Sequence, residues 1–176
     1  MPDVATLRPR ARRHIEEGAV TPGYTADRAE VVKLLNEALA TEIVCTLRYR
    51  RHYFMARGIH AATVAAEFRE HADEELRHAD QIAERIVQLG GEPDFSPMTL
   101  LARSHAEYVE GKTLLDMIKE NLVAERIAID SYREMLLHIA EDDPTTTRML
   151  AAILAVEEEH ADELADLVAG LPTTQN

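Results

Sequence analysis

Tryptophan is missing from this 176-residue chain, phenylalanine occurs three times, cysteine once, and glycine and proline seven times each. Sandwiches and barrels need frequent turn residues and aromatic-rich strands, so these scarcities leave a helical bundle as the expected class, with length for one domain and a sizeable core. A lone thiol, Cys45, makes no intrachain disulfide. With no apolar leader at the start, the chain reads as cytoplasmic, in a reducing setting. No apolar run approaches the roughly 18 residues of a membrane span. Positive charge is also in short supply: 19 Lys and Arg face 32 Asp and Glu, a formal net charge of -13. That balance disfavours nonspecific nucleic-acid binding by the surface and draws cations toward it, although most of these acids read as a solvated exterior.

Residues 1–24 carry Arg8, Arg10, Arg12 and Arg13 with little apolar periodicity and read as an N-terminal arm; 25–170 read as one bundle, and 171–176 as a short tail. Asp27, with Glu30 three places on, is the expected N-cap and reciprocal partner of a first long helix that ends near Arg57, before Gly58. A second runs from about His60 to Leu89, where Gly90-Gly91 and Pro93 stop it. So short a connection makes the two antiparallel neighbours. A third begins near Gly111 and ends near Glu141, and the roughly twenty residues before it are long for a bundle connection, so they are expected to cross the bundle's length. Ser96-Pro97 is the expected start of a short helix inside that crossover. Asp142-Asp143-Pro144-Thr145 is a second tight turn into a fourth helix that reaches about Ala169. The fold class is therefore all-α, an antiparallel four-helix bundle with a long crossover between its second and third helices.

What the chain does have is a repeated pair. Glu75-Leu76-Arg77-His78 and Glu157-Glu158-Glu159-His160 both read Glu-x-x-His, and each follows a lone Glu one helix upstream, Glu42 and Glu125. Residues three apart share a helix face, so a carboxylate and an imidazole so spaced can grip one ion. The separations match as well: 33 residues from Glu42 to Glu75, 32 from Glu125 to Glu157. Two similar helical hairpins follow from that match. Each acid also lies within an apolar stripe. Glu42 falls between Leu39 and Cys45, Glu75 between Phe68 and Ile82, Glu125 between Leu122 and Ile129, and Glu157 between Ile153 and Leu164. Unpaired buried carboxylates cost several kcal/mol each, and no Lys or Arg shares their stripes, so protons or cations are required. Four carboxylates and two neutral imidazoles balance two divalent ions, and the oxygen and nitrogen donors suit iron or manganese. A single Glu-x-x-His is ordinarily surface decoration; six in-stripe residues at matched spacing are not.

These residues resemble the ferritin-like di-iron superfamily, and within it bacterioferritin. Thr41-Glu42-Ile43-Val44, Glu74 through Asp80 with Glu84-Arg85-Ile86, and Glu157 through His160 are similar to its ferroxidase segments, and the likeness spans about Asp27 to Ala169. The resemblance implies a ferritin-like fold, two Fe ions per chain, Fe(II) and O2 or H2O2 as reactants, and a homo-oligomeric shell. Carried over residue by residue, Glu42, Glu75 and His78 serve one iron and Glu125, Glu157 and His160 the other, with Glu75 and Glu125 bridging. Leu76 stands where bacterioferritins carry their haem-ligating Met, so haem is not implied. Only sixteen residues follow His160, little for the fifth helix of 24-subunit ferritins. The chain therefore resembles Dps-like mini-ferritins, usually dodecamers, although those build the site between subunits and here one chain carries all six residues.

Four further side chains are candidates for supporting the centre. Tyr49 and Tyr132 each lie seven residues after a lone Glu and are read as hydrogen-bonding near the metals or as core tyrosines. Glu74 is a candidate to orient His160, and His71 an extra ligand or entry-path group, against the readings of a solvated acid and a satisfied core histidine. Cys45 is read as a small core residue. The function that follows is a ferroxidase that stores or detoxifies iron. The rivals are a di-iron or di-manganese peroxidase or catalase without storage, and a DNA-protecting Dps-type assembly. For the last, four arginines on so acidic a chain favour a solvated or interface-packed arm over a DNA contact.

Overall fold

The computed structural model describes residues 3–59 and 61–170. In the arm, Asp3 caps a short helix, α1 (Val4–Arg10), by accepting from the Ala5 backbone N–H. A single 3-10 turn, Ile15–Glu17, follows. Arg8, Arg12 and Arg13 are exposed, and the Arg10 guanidinium lies against Gly23. The tail expected at 171–176 lies outside the described residues.

Asp27 begins α2 (Arg28–Met55), its side chain accepting from the backbone N–H of Ala29 and Glu30. The expected reciprocal bond from Glu30 is replaced by an ion pair to Lys33 at 3.7 Å. At 28 residues the helix is about 42 Å long. The connection to α3 (Ala61–Gln88) is short, which keeps the two side by side along their lengths. The expected start of this helix at His60 lies outside the described residues. The α3 terminus closes as anticipated: Gly90 takes φ 75°, and the Gly91 N–H returns to the Ile86 carbonyl. A Cβ on Gly91 would stand 2.6 Å from Val32, so this end of α3 approaches α2 too closely for any larger residue.

Residues 89–113 form the crossover. Its short helix is α4 (Leu100–Arg103), begun at Thr99 rather than Ser96. Asp94 accepts the Ser96 N–H, which binds Ser96 into the preceding turn and delays the helix. α5 (Leu114–Ile139) starts at a capping box of Thr113 and Asp116, three residues later than the glycine-based expectation. α6 (Pro144–Gly170) starts with proline at its first position, where a missing N–H costs nothing. α5 and α6 form the second hairpin, α2 packs on α5, and α3 on α6.

Apolar stripes fill the interior in two blocks. Leu35, Leu39, Ile82, Ile86, Leu150 and Ile153 form one, and Phe68, Val64, Ile118 and Leu164 form the other. Burying each such side chain stabilises the fold by roughly 1.5–3 kcal/mol. Between the blocks, at the middle of every long helix, lies a polar layer. No helix among the described residues is long and apolar enough to cross a membrane.

Candidate metal centre

The polar layer contains all six residues expected from the repeated pairs. Glu42, Glu75, Glu125, Glu157 and His160 are at most 1% exposed and His78 is 5% exposed. Their ligating atoms fall into two groups, each within 4.8 Å: Glu42, Glu75, His78 and Glu157 in one, Glu75, Glu125, Glu157 and His160 in the other. Glu75 and Glu157, the Glu of each Glu-x-x-His, are common to both. The bridging pair expected from the resemblance, Glu75 and Glu125, is therefore corrected: Glu125 belongs to one group only. The distances decide this: Glu75 and Glu157 each lie within 4 Å of both His78 and His160, whereas Glu42 and Glu125 each fall in one group.

Seven side-chain atoms of these residues lack a directed hydrogen bond: Glu42 Oε2, Glu75 Oε1, His78 Nδ1, Glu125 Oε2, both oxygens of Glu157, and His160 Nδ1. His78 Nδ1 lies 2.8 Å from Glu157 Oε1 and 3.5 Å from Glu42 Oε2. His160 Nδ1 lies 3.7 Å from Glu157 Oε2 and 3.8 Å from Glu75 Oε1. His160 Nε2 donates to Glu74 Oε2 at 2.8 Å, which leaves an Nδ1 lone pair aimed at the acids. Arg77 in turn holds Glu74 at 2.7 Å. Inward imidazole lone pairs among carboxylate oxygens fit bound cations, and the donor set fits iron or manganese.

Burial, then the charges of Glu157, Glu125 and Glu42, push the Glu75 carboxyl well above its usual range. Glu157 is pushed up likewise by burial and by Glu42 and Glu125. Burial acts on Glu42 too, yet the adjacent Glu75 carboxyl, the His78 imidazole 3.5 Å away and the Tyr132 hydroxyl outweigh it and hold Glu42 below its usual value. Without cations, the layer is a set of acids that share protons.

The two tyrosines make a reciprocal pattern. Tyr49 on α2 donates to Glu125 on α5, and Tyr132 on α5 donates to Glu42 on α2. Burial and the adjacent acids raise both phenols well above their usual value, so both stay protonated donors. His71 lies with Nδ1 3.2 Å from the Tyr49 hydroxyl and its ring stacked on His160, centroids 3.9 Å apart. Burial and His160 lower its affinity for a second proton. Cys45 packs in the core, its thiol pushed up to about 12 by burial. Leu76 is 43% exposed on α3, away from the centre.

Sequence reasoning missed several residues. Arg48, fully buried one position from Tyr49, bonds Asn121 at 3.0 Å and the Glu107 carbonyl at 2.9 Å, and Arg51 bonds the Glu110 carbonyl at 2.8 Å. These tie the crossover over the α2–α5 side of the layer. Arginines in a helical pattern read as solvated, so nothing local marked Arg48. Glu67 and Glu163 were also missed, although Glu67 precedes His71 by four residues and Glu163 follows His160 by three.

A bundle of four long helices with acids and imidazoles at mid-height, two hairpins and a long crossover defines the ferritin-like class of fold. The chain belongs to that family: the ferritin-like domain model matches residues 32–174. The bacterioferritin of Mycobacterium avium is 30% identical over 136 residues, 77% of this chain and 81% of its own. A dodecameric thioferritin, the bacterioferritin-related protein of Bacteroides fragilis, is 32% identical with a TM-score of 0.78, over 81% of this chain and 86% of its own. The di-iron bacterioferritin of Desulfovibrio desulfuricans is 26% identical with a TM-score of 0.72, over 81% and 80%.

Proposed function

We propose that the protein is a ferroxidase: it oxidises Fe(II) with O2 or H2O2 at a di-iron site within one chain, and stores or detoxifies the product inside an oligomeric shell. The observation that carries this reading is the seven atoms without directed hydrogen bonds, all from six buried residues converging in one layer. Kinship with bacterioferritins supports it. Glu42 and His78 hold one ion, Glu125 and His160 the other, and Glu75 and Glu157 lie between them. Four ionised carboxylates neutralise two divalent ions; manganese is the other metal this set accommodates.

Fe(II) is the substrate, and an oxidised pair releases two electrons, which with two protons convert O2 to hydrogen peroxide or H2O2 to two waters. The protein's part is positioning. Tyr49 and Tyr132 fix the lone acids from the opposite helix, Glu74 fixes the His160 ring, and the apolar blocks above and below exclude bulk water. Burial and the neighbouring acids raise the proton affinity of Glu75 and Glu157, so Fe(II) competes with protons for these two carboxylates.

Anaerobic loading with Fe(II) followed by oxidant is expected to give a fast optical phase that saturates near two irons per chain. The double variant Glu42→Ala, His160→Ala is expected to lose it. Persistence of the phase in that variant would remove the ferroxidase reading.

A further inference from the structure

Outside the polar layer, a hydroxyl, an imidazole and a carboxylate line up across one surface groove. Glu37 on α2, His105 in the crossover and Ser131 on α5 all line this groove, whose volume is about 300 Å³. His105 Nδ1 lies 2.6 Å from Ser131 Oγ, and its Nε2 lies 3.7 Å from Glu37 Oε2. The side chains of His105 and Glu37 are 33% and 28% exposed, so a solute in the groove can reach the group while protein shields part of it. Leu34 and Met135 add apolar wall, and Glu30 and Glu134 add negative charge.

The ring is held in place from two directions. The His105 backbone N–H donates to Thr41 Oγ1 at 3.0 Å, and the Thr41 hydroxyl donates to the Glu37 carbonyl at 3.0 Å. The crossover thus delivers His105 to the turn of α2 that carries Glu37. A carboxylate only accepts, so a neutral ring turns its Nε2–H toward Glu37 and leaves Nδ1 to accept from the Ser131 hydroxyl. The other Glu37 oxygen lies 3.9 Å from Lys33 Nζ. A hydroxyl beside an imidazole whose far side faces a carboxylate is the arrangement that activates serine on unrelated folds, where geometry and not sequence position defines it.

We infer that Ser131, His105 and Glu37 form a nucleophilic triad that cleaves small carboxylic esters, an activity separate from iron oxidation. Ser131 Oγ bonds the ester carbonyl carbon as its proton passes to His105 Nδ1. The bond from that carbon to the alcohol oxygen then breaks, and the leaving oxygen takes the proton. Water, deprotonated by the same nitrogen, displaces Ser131 and releases the acid. Glu37 is a positioning residue: it orients the ring and stabilises the imidazolium. The acidic lining and the net charge of -13 select neutral or cationic esters over anionic ones. Ser131 lies inside α5, where its N–H serves the helix and not an oxyanion, so slow turnover is expected.

The test uses the full-length, metal-depleted protein, with a fluorophosphonate as covalent probe and p-nitrophenyl acetate as substrate. Peptide mass spectrometry is expected to find the phosphonyl adduct on Ser131, formed as fluoride leaves. Ser131→Ala is expected to abolish it, and His105→Gln to slow it by roughly 100-fold, the loss of a general base. Glu37→Gln is expected to lower kcat for p-nitrophenyl acetate several-fold at unchanged KM. Circular dichroism checks that the helices persist in each variant. Absence of the adduct from Ser131, or a rate in His105→Gln within about threefold of the unsubstituted protein, overturns the inference. The fast Fe(II) oxidation phase is expected to survive all of these substitutions, so failure of the triad leaves the ferroxidase reading standing.

Discussion

At the scale of the residue, the decisive property is how Glu75 and Glu157 carry charge. Both have folded-state pKa values above the ordinary 4.5, first because burial penalises the anion and then because other acids crowd it. A carboxyl raised on folding contributes stability that is fully present below its unfolded pKa and is lost as pH rises through its folded value. The metal-free protein is therefore expected to lose this contribution as pH climbs above about 4.5. Divalent ions substitute for the protons, so the rise in melting temperature caused by Mn(II) or Co(II) is expected to grow with pH. Thermal denaturation with and without metal at several pH values checks this; an increment that does not change with pH would contradict it. The six central residues were legible in the sequence because three-residue spacing on a helix and in-stripe placement are local facts. The sharing of Glu75 and Glu157 was not, because it depends on which helices face each other.

At the scale of the element, the helix ends carry stability that the stripes do not. Asp143 accepts the Thr146 N–H and hydroxyl at the start of α6, receives two bonds from Arg85 on α3 at 2.8 and 2.9 Å, and accepts from the Tyr24 hydroxyl at 2.8 Å. Burial opposes its charge, but the bonds from Thr146, Arg85 and Tyr24 hold the Asp143 carboxyl below its usual value. One side chain thus joins the segment before α2, the end of α3 and the α5–α6 turn. Asp143→Ala removes a cap and leaves the Arg85 guanidinium buried without its ion partner, so a loss of about 3–5 kcal/mol is expected in urea denaturation. A loss below about 1 kcal/mol would show that water repairs the site. Asp143 was legible as part of a turn and Pro144 as a helix start. Arg85 was not legible as a core residue, since in sequence it is one more basic residue near a helix terminus, where solvation is the ordinary outcome.

At the scale of the whole molecule, the bundle leaves apolar surface that one copy does not cover. Leu47 and Phe54 on α2 and Leu76 and Val87 on α3 are 43–66% exposed, apolar area that neighbouring copies would cover. This supports the proposal of an oligomer, and the dodecameric Bacteroides relative supports twelve copies. Native mass spectrometry is expected to find a closed twelve-copy shell that keeps hundreds of irons after loading. A small dimer that turns over peroxide would favour the non-storing rival instead. The sequence by itself determined the helical class, the two hairpins, the crossover and the six inward residues, because helix periodicity converts residue spacing directly into facing. Tertiary structure alone decided which acids lie on the midline, that Tyr49 and Tyr132 each serve the opposite helix's acid, and that Glu67, His71 and Glu163 meet. The tyrosine bonds alone join residues 76 and 90 positions apart, and no local pattern encodes a contact that exists only once helices pack.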